Sequence, residues 1–338
     1  MLDIIIPTYK NKEGLIKTLA SIPNYKEIKI TVVDDCSGLD YSDVYNQFNF
    51  RLIELSKNAG PGVARQVGIS STNEPYILFL DTGDYFIEGA LAEVLNIINV
   101  NPSIQIFSWE YEIGDAEYDT NNNNLHGRVY KREFLNKYNI YFSELGSYAN
   151  EDVGFNHACR LILIQYYPNN DAVLTLKKSI IVYDVTDMTS ITRRDNSAFI
   201  YKDQNLGLAY NATHAYNIAK ANNVDEGLLK DYLSDIMGSQ YFFFLRTLEE
   251  RPEYLQIAWD GARYFYLNCF KNILDSNQSC IISYNRMLNF FKTAYKAKPK
   301  KVRFNVKIFI KLLEENEKVP EYYLTLANNI NLMEDDTE

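Results

Sequence analysis

Residues Tyr76–Asp84 read YILFLDTGD. The first five residues are apolar, which predicts a strand that is buried on both faces, as in parallel sheets. The last four include two carboxylates, Asp81 and Asp84, and their composition is typical of a turn. Two carboxylates at the end of a buried strand can hold a divalent cation, although an ordinary polar turn has the same residues. The stretch therefore predicts an α/β sheet with a candidate metal site at one strand end.

Short β-rich runs alternate with helical patterns on both sides of this strand. Strands are predicted at Asp3–Ile6, Lys29–Val33, Arg51–Leu55, Tyr76–Leu80 and Ser179–Asp184. Helices are predicted at Glu13–Ser21, Asp43–Phe48, Pro61–Ser70, Gly89–Val100, Lys131–Tyr138 and Asp152–Leu163. Such alternation implies a mostly parallel sheet with flanking helices. The polar insert Asp119–Asn124 is predicted to be a loop tip.

Ligands of such sheets bind outside the carboxyl ends of the strands. The residues predicted at these ends are Pro7, Thr8, Tyr9, Asp34, Asp35 and the Asp81–Asp84 turn. A carboxylate at Asp34 or Asp35 can accept a hydrogen bond from the N–H of a nucleotide base. It can equally cap the next backbone element, and the residues themselves leave both interpretations open.

The stretch Asn58–Gly68 reads NAGPGVARQVG and joins a flexible turn to a helix. Its glycines permit a close approach of the backbone, and a helix N-terminus attracts phosphate. Arg65 can pair with a diphosphate through two N–H groups. The alternative is an ordinary turn followed by a solvated arginine.

An acidic pair, Glu151 and Asp152, stands at the start of the amphipathic run Val153–Leu163. A carboxylate there can act as a general base that takes a proton from an attacking hydroxyl. Acids at a helix N-terminus also stabilise the helix through its dipole, so a capping role is open as well.

The chain has 338 residues, of which 46% are apolar, and this composition excludes a mainly disordered protein. Residues 1–200 contain 17 basic and 26 acidic side chains, a net charge of −9. This charge argues against broad nucleic-acid binding, because phosphates would be repelled. An acidic cleft suits a divalent cation that carries a phosphorylated ligand.

The pattern changes near residues 195–205, after which helical stretches follow one another. They are predicted near 203–221, 225–249, 253–275, 281–297, 305–316 and 320–331. We therefore expect two domains, residues 1–200 and 201–338. The basic run Lys292–Arg303 is predicted to be a solvated linker, and a contact with anionic lipid or DNA is its alternative.

The sequence also predicts a cytoplasmic location. The four cysteines have neither zinc-site nor redox-motif spacing, which favours reduced thiols. The strand-like first residues do not resemble a signal peptide. No apolar run approaches the roughly 20 residues that span a bilayer, so any membrane contact is expected at the surface.

Taken together and in order, these motifs resemble the family 2 glycosyltransferases. The resemblance covers roughly residues 1–195, and its specificity lies in the combined spacing of the motifs. They are Ile4–Tyr9, Val32–Ser37, Asn58–Ile69, Tyr76–Asp84, Gly127–Leu135, Glu151–Phe155 and Ser190–Arg193. The resemblance implies the GT-A fold, a Rossmann-like α/β sheet with flanking helices, followed here by a mainly α-helical C-terminal domain.

The resemblance also implies site residues. The residues implied to bind a nucleotide sugar are Pro7, Thr8, Tyr9, Asp34, Asp35, Asn58, Gly60, Arg65, Asp81 and Thr82. Asp35 would contact the base, and Arg65 would approach the diphosphate or ribose. Asp81 and Asp84 would hold Mn²⁺ or Mg²⁺. Asp152 would be the catalytic base, and Glu151 would support it.

The implied reaction is an inverting displacement, in which an acceptor hydroxyl attacks the sugar of a nucleoside-diphosphate sugar, here a UDP-sugar. The expected acceptor is a surface polysaccharide or another glycan, and modified DNA bases or a protein are alternatives. The C-terminal helices would shape the acceptor side or a homo-oligomer.

One departure from the family pattern is Gly83, which stands where a metal-binding carboxylate is usual. Asp84 or Asp81 can substitute for it, or the chain is an inactive, glycosyltransferase-like binding protein. A sugar-nucleotide pyrophosphorylase is disfavoured, because residues 7–14 lack a Gly-rich run.

Overall fold

The computed structural model describes residues 1–113, 116–118, 125–147, 149–184, 197–271 and 306–334. The chain divides into two units, Met1–Asp195 and Asn196–Glu338. The division falls within the stretch where the sequence pattern changes. The predicted loop tip 119–124, the predicted helix 281–297, the basic run 292–303 and the motif 190–193 lie outside the described residues.

Within the described residues, the first unit is built on one sheet of nine strands. They are β1 (Leu2–Thr8), β2 (Ile28–Asp34), β3 (Arg51–Glu54), β4 (Tyr76–Phe79), β5 (Tyr85–Phe86), β6 (Ile106–Ile113), β7 (Ala116–Tyr118), β8 (Arg128–Lys131) and β9 (Val173–Tyr183). The strand order is β3-β2-β1-β4-β8-β6-β9-β5, and β7 pairs with β6. The strands β3, β2, β1 and β4 are parallel, as predicted, whereas β8 is antiparallel to both neighbours.

Six helices in the described part of the first unit connect or flank these strands. They are α1 (Lys12–Ala20), α2 (Ser42–Tyr45), α3 (Pro61–Ser70), α4 (Ala90–Val100), α5 (Arg132–Lys137) and α6 (Glu151–Tyr166). The core of the sheet is apolar because β1 carries Ile4, Ile5 and Ile6, all fully buried. Because β1, β2, β3 and β4 run parallel, the loops that follow them leave the sheet at one edge.

The described part of the second unit is helical. Its helices are α7 (Ser197–Ala221), α8 (Glu226–Glu250), α9 (Leu255–Phe265), α10 (Val306–Glu315) and α11 (Glu321–Glu334). An aromatic cluster forms the core, with Phe244, Trp259, Phe309 and Tyr323 in mutual contact. In the described residues, none of the helices combines the length and the apolar character that crossing a membrane requires.

A close backbone contact fixes the start of β8. Gly127 has φ +64°, and a Cβ at this position would lie 2.6 Å from the carbonyl oxygen of Trp109. We expect Gly127→Ala to lower the free energy of unfolding by about 1–2 kcal/mol for the left-handed backbone. Forcing the Trp109 carbonyl aside should cost about 1–3 kcal/mol more. Urea unfolding of the purified chain measures both effects together.

Gly38 provides the matched control. It has φ +67°, but a Cβ added to this residue would meet nothing within 4 Å. Gly38→Ala should therefore lower the free energy of unfolding only by the cost of the left-handed backbone, about 1–2 kcal/mol. Equal losses for the two variants would contradict the close contact at Trp109.

Candidate active site

The loop after β2 is held by two buried carboxylates. Asp34 accepts hydrogen bonds from the Ser37 N–H (2.9 Å) and the Tyr41 hydroxyl (2.9 Å). Asp35 accepts from the backbone N–H groups of Ala59 (2.7 Å) and Gly60 (2.8 Å). Asp34 thus accepts from the turn that directly follows it, as the capping alternative predicted, whereas Asp35 accepts from the loop before α3. The contact of Asp35 with a nucleotide base stays a prediction.

The loop that leads into α3 is tied to its neighbours at the same edge. The Asn58 side chain donates to the Asp35 carbonyl (3.3 Å). The Ser147 hydroxyl donates to the Ala59 carbonyl (2.6 Å), and the Ser147 carbonyl accepts from the Gly62 N–H (3.0 Å). The loops before α3 and α6 therefore form one connected wall of the site.

The backbone of Pro7–Tyr9 joins the loops on either side of β1. The Thr82 hydroxyl donates to the Pro7 carbonyl (2.7 Å), and the Asp35 N–H donates to the Thr8 carbonyl (2.8 Å). Tyr9 is partly exposed, and the Lys10 ammonium lies 5.2 Å from the centre of its ring. Tyr9 is thus open to a ligand, whereas Thr8 is buried.

Arg65 lies at the centre of a buried ion-pair cluster. One terminal nitrogen of Arg65 lies 2.6 Å from Asp81, and the other lies 2.5 Å from Glu151. The arginine side chain is only 5% exposed. Carboxylates of the chain engage both terminal nitrogens of Arg65 in this structure, and its approach to a diphosphate or ribose stays a prediction. Its role here is to hold the end of β4 beside the start of α6.

The turn after β4 depends on Gly83, which has φ +105°. This left-handed conformation suits glycine and lets the Gly83 N–H donate to the Thr18 hydroxyl (2.9 Å). The same hydroxyl donates to the Asp84 carbonyl (2.8 Å). The turn thereby aims both Asp81 and Asp84 at a common region.

Asp81, Asp84 and His126 form a cluster whose ligand atoms all lie within 4.8 Å of one another. Asp84 lies 3.4 Å from the Nε2 atom of His126 and accepts from the Asp184 N–H (3.0 Å). Burial alone would raise the pKa of Asp81, but the charge and hydrogen bond of Arg65, together with the charge of His126, lower that pKa. Burial lowers the pKa of His126, which favours the neutral imidazole that binds metals. The cluster offers three metal ligands.

Sequence reasoning did not assign His126 to this cluster. It precedes β8, which returns antiparallel beside β4 and places His126 close to Asp84. No local spacing joins these two residues in the sequence. The sheet order alone brings them together.

Asp152 occupies the first turn of α6, next to the buried Glu151. Its Oδ1 accepts from the Val153 N–H (2.8 Å), and the side chain is partly exposed. Burial and then the Glu151 carboxylate raise the pKa of Asp152 to about 7, against an opposing effect of Arg65. A carboxylate with this pKa can take a proton near neutral pH.

Comparisons with known proteins bear on this arrangement. The family model described as Glycosyl transferase family 2 matches residues 3–164. An uncharacterized glycosyltransferase of Haemophilus influenzae is 32% identical over 108 residues, which are 31% of this chain and 36% of that protein. The poly(ribitol-phosphate) beta-N-acetylglucosaminyltransferase TarS of Staphylococcus aureus is 29% identical over 110 residues, 30% of this chain and 19% of TarS. The chain thus matches only a minor part of these relatives.

Solved structures show the same fold. The crystal structure of S. aureus TarS 1–349 has a TM-score of 0.60 and 16% identity, covering 90% of this chain and 93% of that one. The same protein in complex with UDP-GlcNAc has a TM-score of 0.60 and 18% identity, with the same coverage. The first unit therefore has the predicted GT-A fold. Residues 3–164 of this chain therefore form a glycosyl transferase family 2 domain.

Proposed function

We propose that the chain is an inverting glycosyltransferase that moves a sugar from a UDP-sugar to a hydroxyl of an acceptor. One observation carries the proposal. A half-buried carboxylate with a pKa of about 7, Asp152, begins a helix at the edge that holds the Asp81–Asp84–His126 cluster. Arg65 bridges Asp81 and Glu151, so the base and the cation ligands belong to one connected network.

A divalent cation fits the cluster by the chemistry of its ligands. Two carboxylates and an imidazole suit Mn²⁺ better than Mg²⁺, because Mg²⁺ prefers an all-oxygen set. When bound, the cation neutralises negative charge on a departing diphosphate. His126 offers a third ligand where Gly83 lacks one, which supports a metal-binding enzyme over an inactive binding protein.

The residues of the chain divide the remaining work. Asp152 takes the proton of the attacking hydroxyl, while Glu151 pairs with Arg65. Because displacement needs a base on one side of the sugar only, one carboxylate with a raised pKa is sufficient.

The relatives support the choice of donor and acceptor. TarS is crystallised with UDP-GlcNAc and with UDP, and its name describes transfer to poly(ribitol-phosphate). We therefore propose a UDP-sugar as donor and a surface polysaccharide as acceptor. The C-terminal unit is proposed to serve the acceptor side or a homo-oligomer. The alternatives of a DNA or a protein acceptor rested on the basic run 292–303, outside the described residues.

A panel of UDP-, GDP- and dTDP-sugars, scored by release of the nucleoside diphosphate with Mn²⁺ and with EDTA, tests the function. We expect Mn²⁺-dependent release of UDP from one UDP-sugar. Failure of every nucleotide sugar to react or bind would overturn the proposal.

The cluster makes a separate prediction about the metal. Asp84→Asn keeps an oxygen that accepts from Asp184 but loses the charge, so Mn²⁺ affinity should fall at least about tenfold. His126→Ala should weaken Mn²⁺ binding and shift the preference of the site toward Mg²⁺. Titration of Mn²⁺ followed by electron paramagnetic resonance measures both. Unchanged Mn²⁺ affinity in Asp84→Asn would exclude this residue as a ligand.

A further inference from the structure

An open cavity of about 770 Å³ runs along α6, on the side of the helix that faces β6 and β9. Its polar lining residues include Ser108, Arg128, Asn156, Arg160, Asn170 and Thr175. Apolar residues such as Ile106, Leu163 and Val173 form the rest of the wall. The cavity lies entirely within the first unit and takes no part in the metal cluster.

The charge of this cavity is opposite to that of its unit. Residues 1–200 carry a net charge of −9, yet the lining contains two arginines and no acidic residue. Arg128 donates to the Asn156 side chain (3.4 Å). Arg160 is exposed, and no carboxylate among the described residues lies within ion-pair distance of it. A cationic wall in an acidic unit is suited to an anion.

The cavity begins close to the proposed base. Asn156 lies one helical turn after Asp152 on the same side of α6, about 6 Å along the helix axis. Arg160 lies one turn further, about 12 Å from Asp152 along the axis. An extended ligand can therefore contact Arg160 while one of its hydroxyls reaches Asp152.

From this geometry we infer that the cavity along α6 binds an acidic acceptor, with Arg128 and Arg160 contacting its phosphate or carboxylate groups. The inference rests on the proposed function and specifies its acceptor as a repeating anionic polymer. A chain with a charged group in each repeat can place one group at the arginines and offer the hydroxyl of a neighbouring repeat to Asp152. Guanidinium groups pair with both phosphate and carboxylate, so these two sources share one binding chemistry.

The test is a calorimetric titration of the full chain with three oligomers of similar length. A glycerol-phosphate oligomer carries phosphodiesters, an oligogalacturonate carries carboxylates, and a dextran oligomer is neutral. We expect at least one anionic oligomer to bind at least tenfold more tightly than dextran, with affinity falling as salt rises. The tighter of the two anionic oligomers identifies the charged group of the acceptor.

Two variants that each remove one positive charge test whether the anionic oligomer binds in the cavity. Arg160→Gln should lower the affinity for the anionic oligomer at least tenfold. Because Arg160 is exposed, thermal melting should show an intact fold. Lys178→Gln removes one exposed positive charge of β9 outside the cavity lining and should leave the affinity unchanged. Equal affinities of the two variants, or no preference over dextran, would overturn the inference.

The outcomes also separate this inference from the proposed function. Release of UDP from a UDP-sugar without binding of either anionic oligomer would overturn the acceptor inference alone. Oligomer binding that depends on Arg160, in a chain that binds no nucleotide sugar, would overturn the proposed function and leave an anion-binding cavity.

Discussion

Transfer of the sugar should fall by roughly 10²–10⁴-fold in Asp152→Asn, the range that a positioned general base contributes. The amide of asparagine keeps the size of the side chain and an acceptor for the Val153 N–H, but it cannot take a proton. UDP binding should stay within about twofold of the original, because the metal cluster is untouched. Steady-state transfer kinetics and calorimetric UDP binding measure the two effects separately.

The pH dependence gives the same residue a second signature. Because the folded-state pKa of Asp152 is raised to about 7, the group holds its proton at lower pH and cannot act as a base. The kcat/KM of the original chain should therefore rise between about pH 6 and pH 8. Asp152→Asn should lose this rise in its residual activity. The exposed Asp171→Asn is the charge-matched control, and it should retain both the rate and the pH profile.

As pH rises, the contribution of Asp152 to the free energy of unfolding should fall, whereas kcat/KM should rise. The folded chain holds a proton on Asp152 between about pH 4 and pH 7 that the unfolded chain releases, so rising pH removes stability over that range. Asp152→Asn should therefore be at least as stable as the original at pH 8. Full transfer by this variant would show that Asp152 is not the base.

Loss of Arg65 should give the largest change in stability. Arg65→Met leaves Asp81 and the buried Glu151 without their shared counter-charge, and breaking such a pair costs about 3–5 kcal/mol. Urea unfolding measures the loss. Adding Glu151→Gln should recover part of it, because one of the uncompensated charges is then removed.

An exposed cation supplies the comparison for Arg65. Lys178 pairs with Glu93 at the surface, with its side chain 60% exposed, so Lys178→Met should change stability by less than about 1 kcal/mol. A similarly small effect of Arg65→Met would mean that the cluster around Arg65 contributes little to the fold.

The N-terminal half of the sheet was predictable because its signals are local. The apolar run that became β4 is bounded by turn residues, and the predicted helix Pro61–Ser70 has the same ends as α3. Proline at the first helical position and glycine before it mark that start without reference to the rest of the fold.

The antiparallel part of the sheet was missed because its strands depend on distant partners. The strand β6 includes polar residues such as Ser108 and Glu110, so it lacks the continuous apolar run that predicted β4. It is held instead by β8 on one side and β9 on the other. The strand β9 also begins at Val173, before the predicted Ser179, because its first half pairs with β6.

The candidate site was also predictable only where its signals are local in the sequence. The sequence motifs named the acidic residues Asp81, Asp84, Glu151 and Asp152, and the structure brings them to one edge. The ion pairs of Arg65 with Asp81 and Glu151 could not be predicted, because the sequence cannot state which anion a cation meets. The place of His126 in the metal cluster was not predicted, because only the return of β8 beside β4 brings it to Asp84.

The central claim is that the edge with Asp81, Asp84 and His126 holds a nucleoside diphosphate through a divalent cation, beside Asp152. Its most direct test is the calorimetric affinity for UDP, measured once with Mn²⁺ and once with EDTA. We predict that Mn²⁺ tightens UDP binding at least tenfold in the original chain and not in Asp84→Asn. Equal UDP affinity with and without the metal, or no UDP binding at all, would contradict the account.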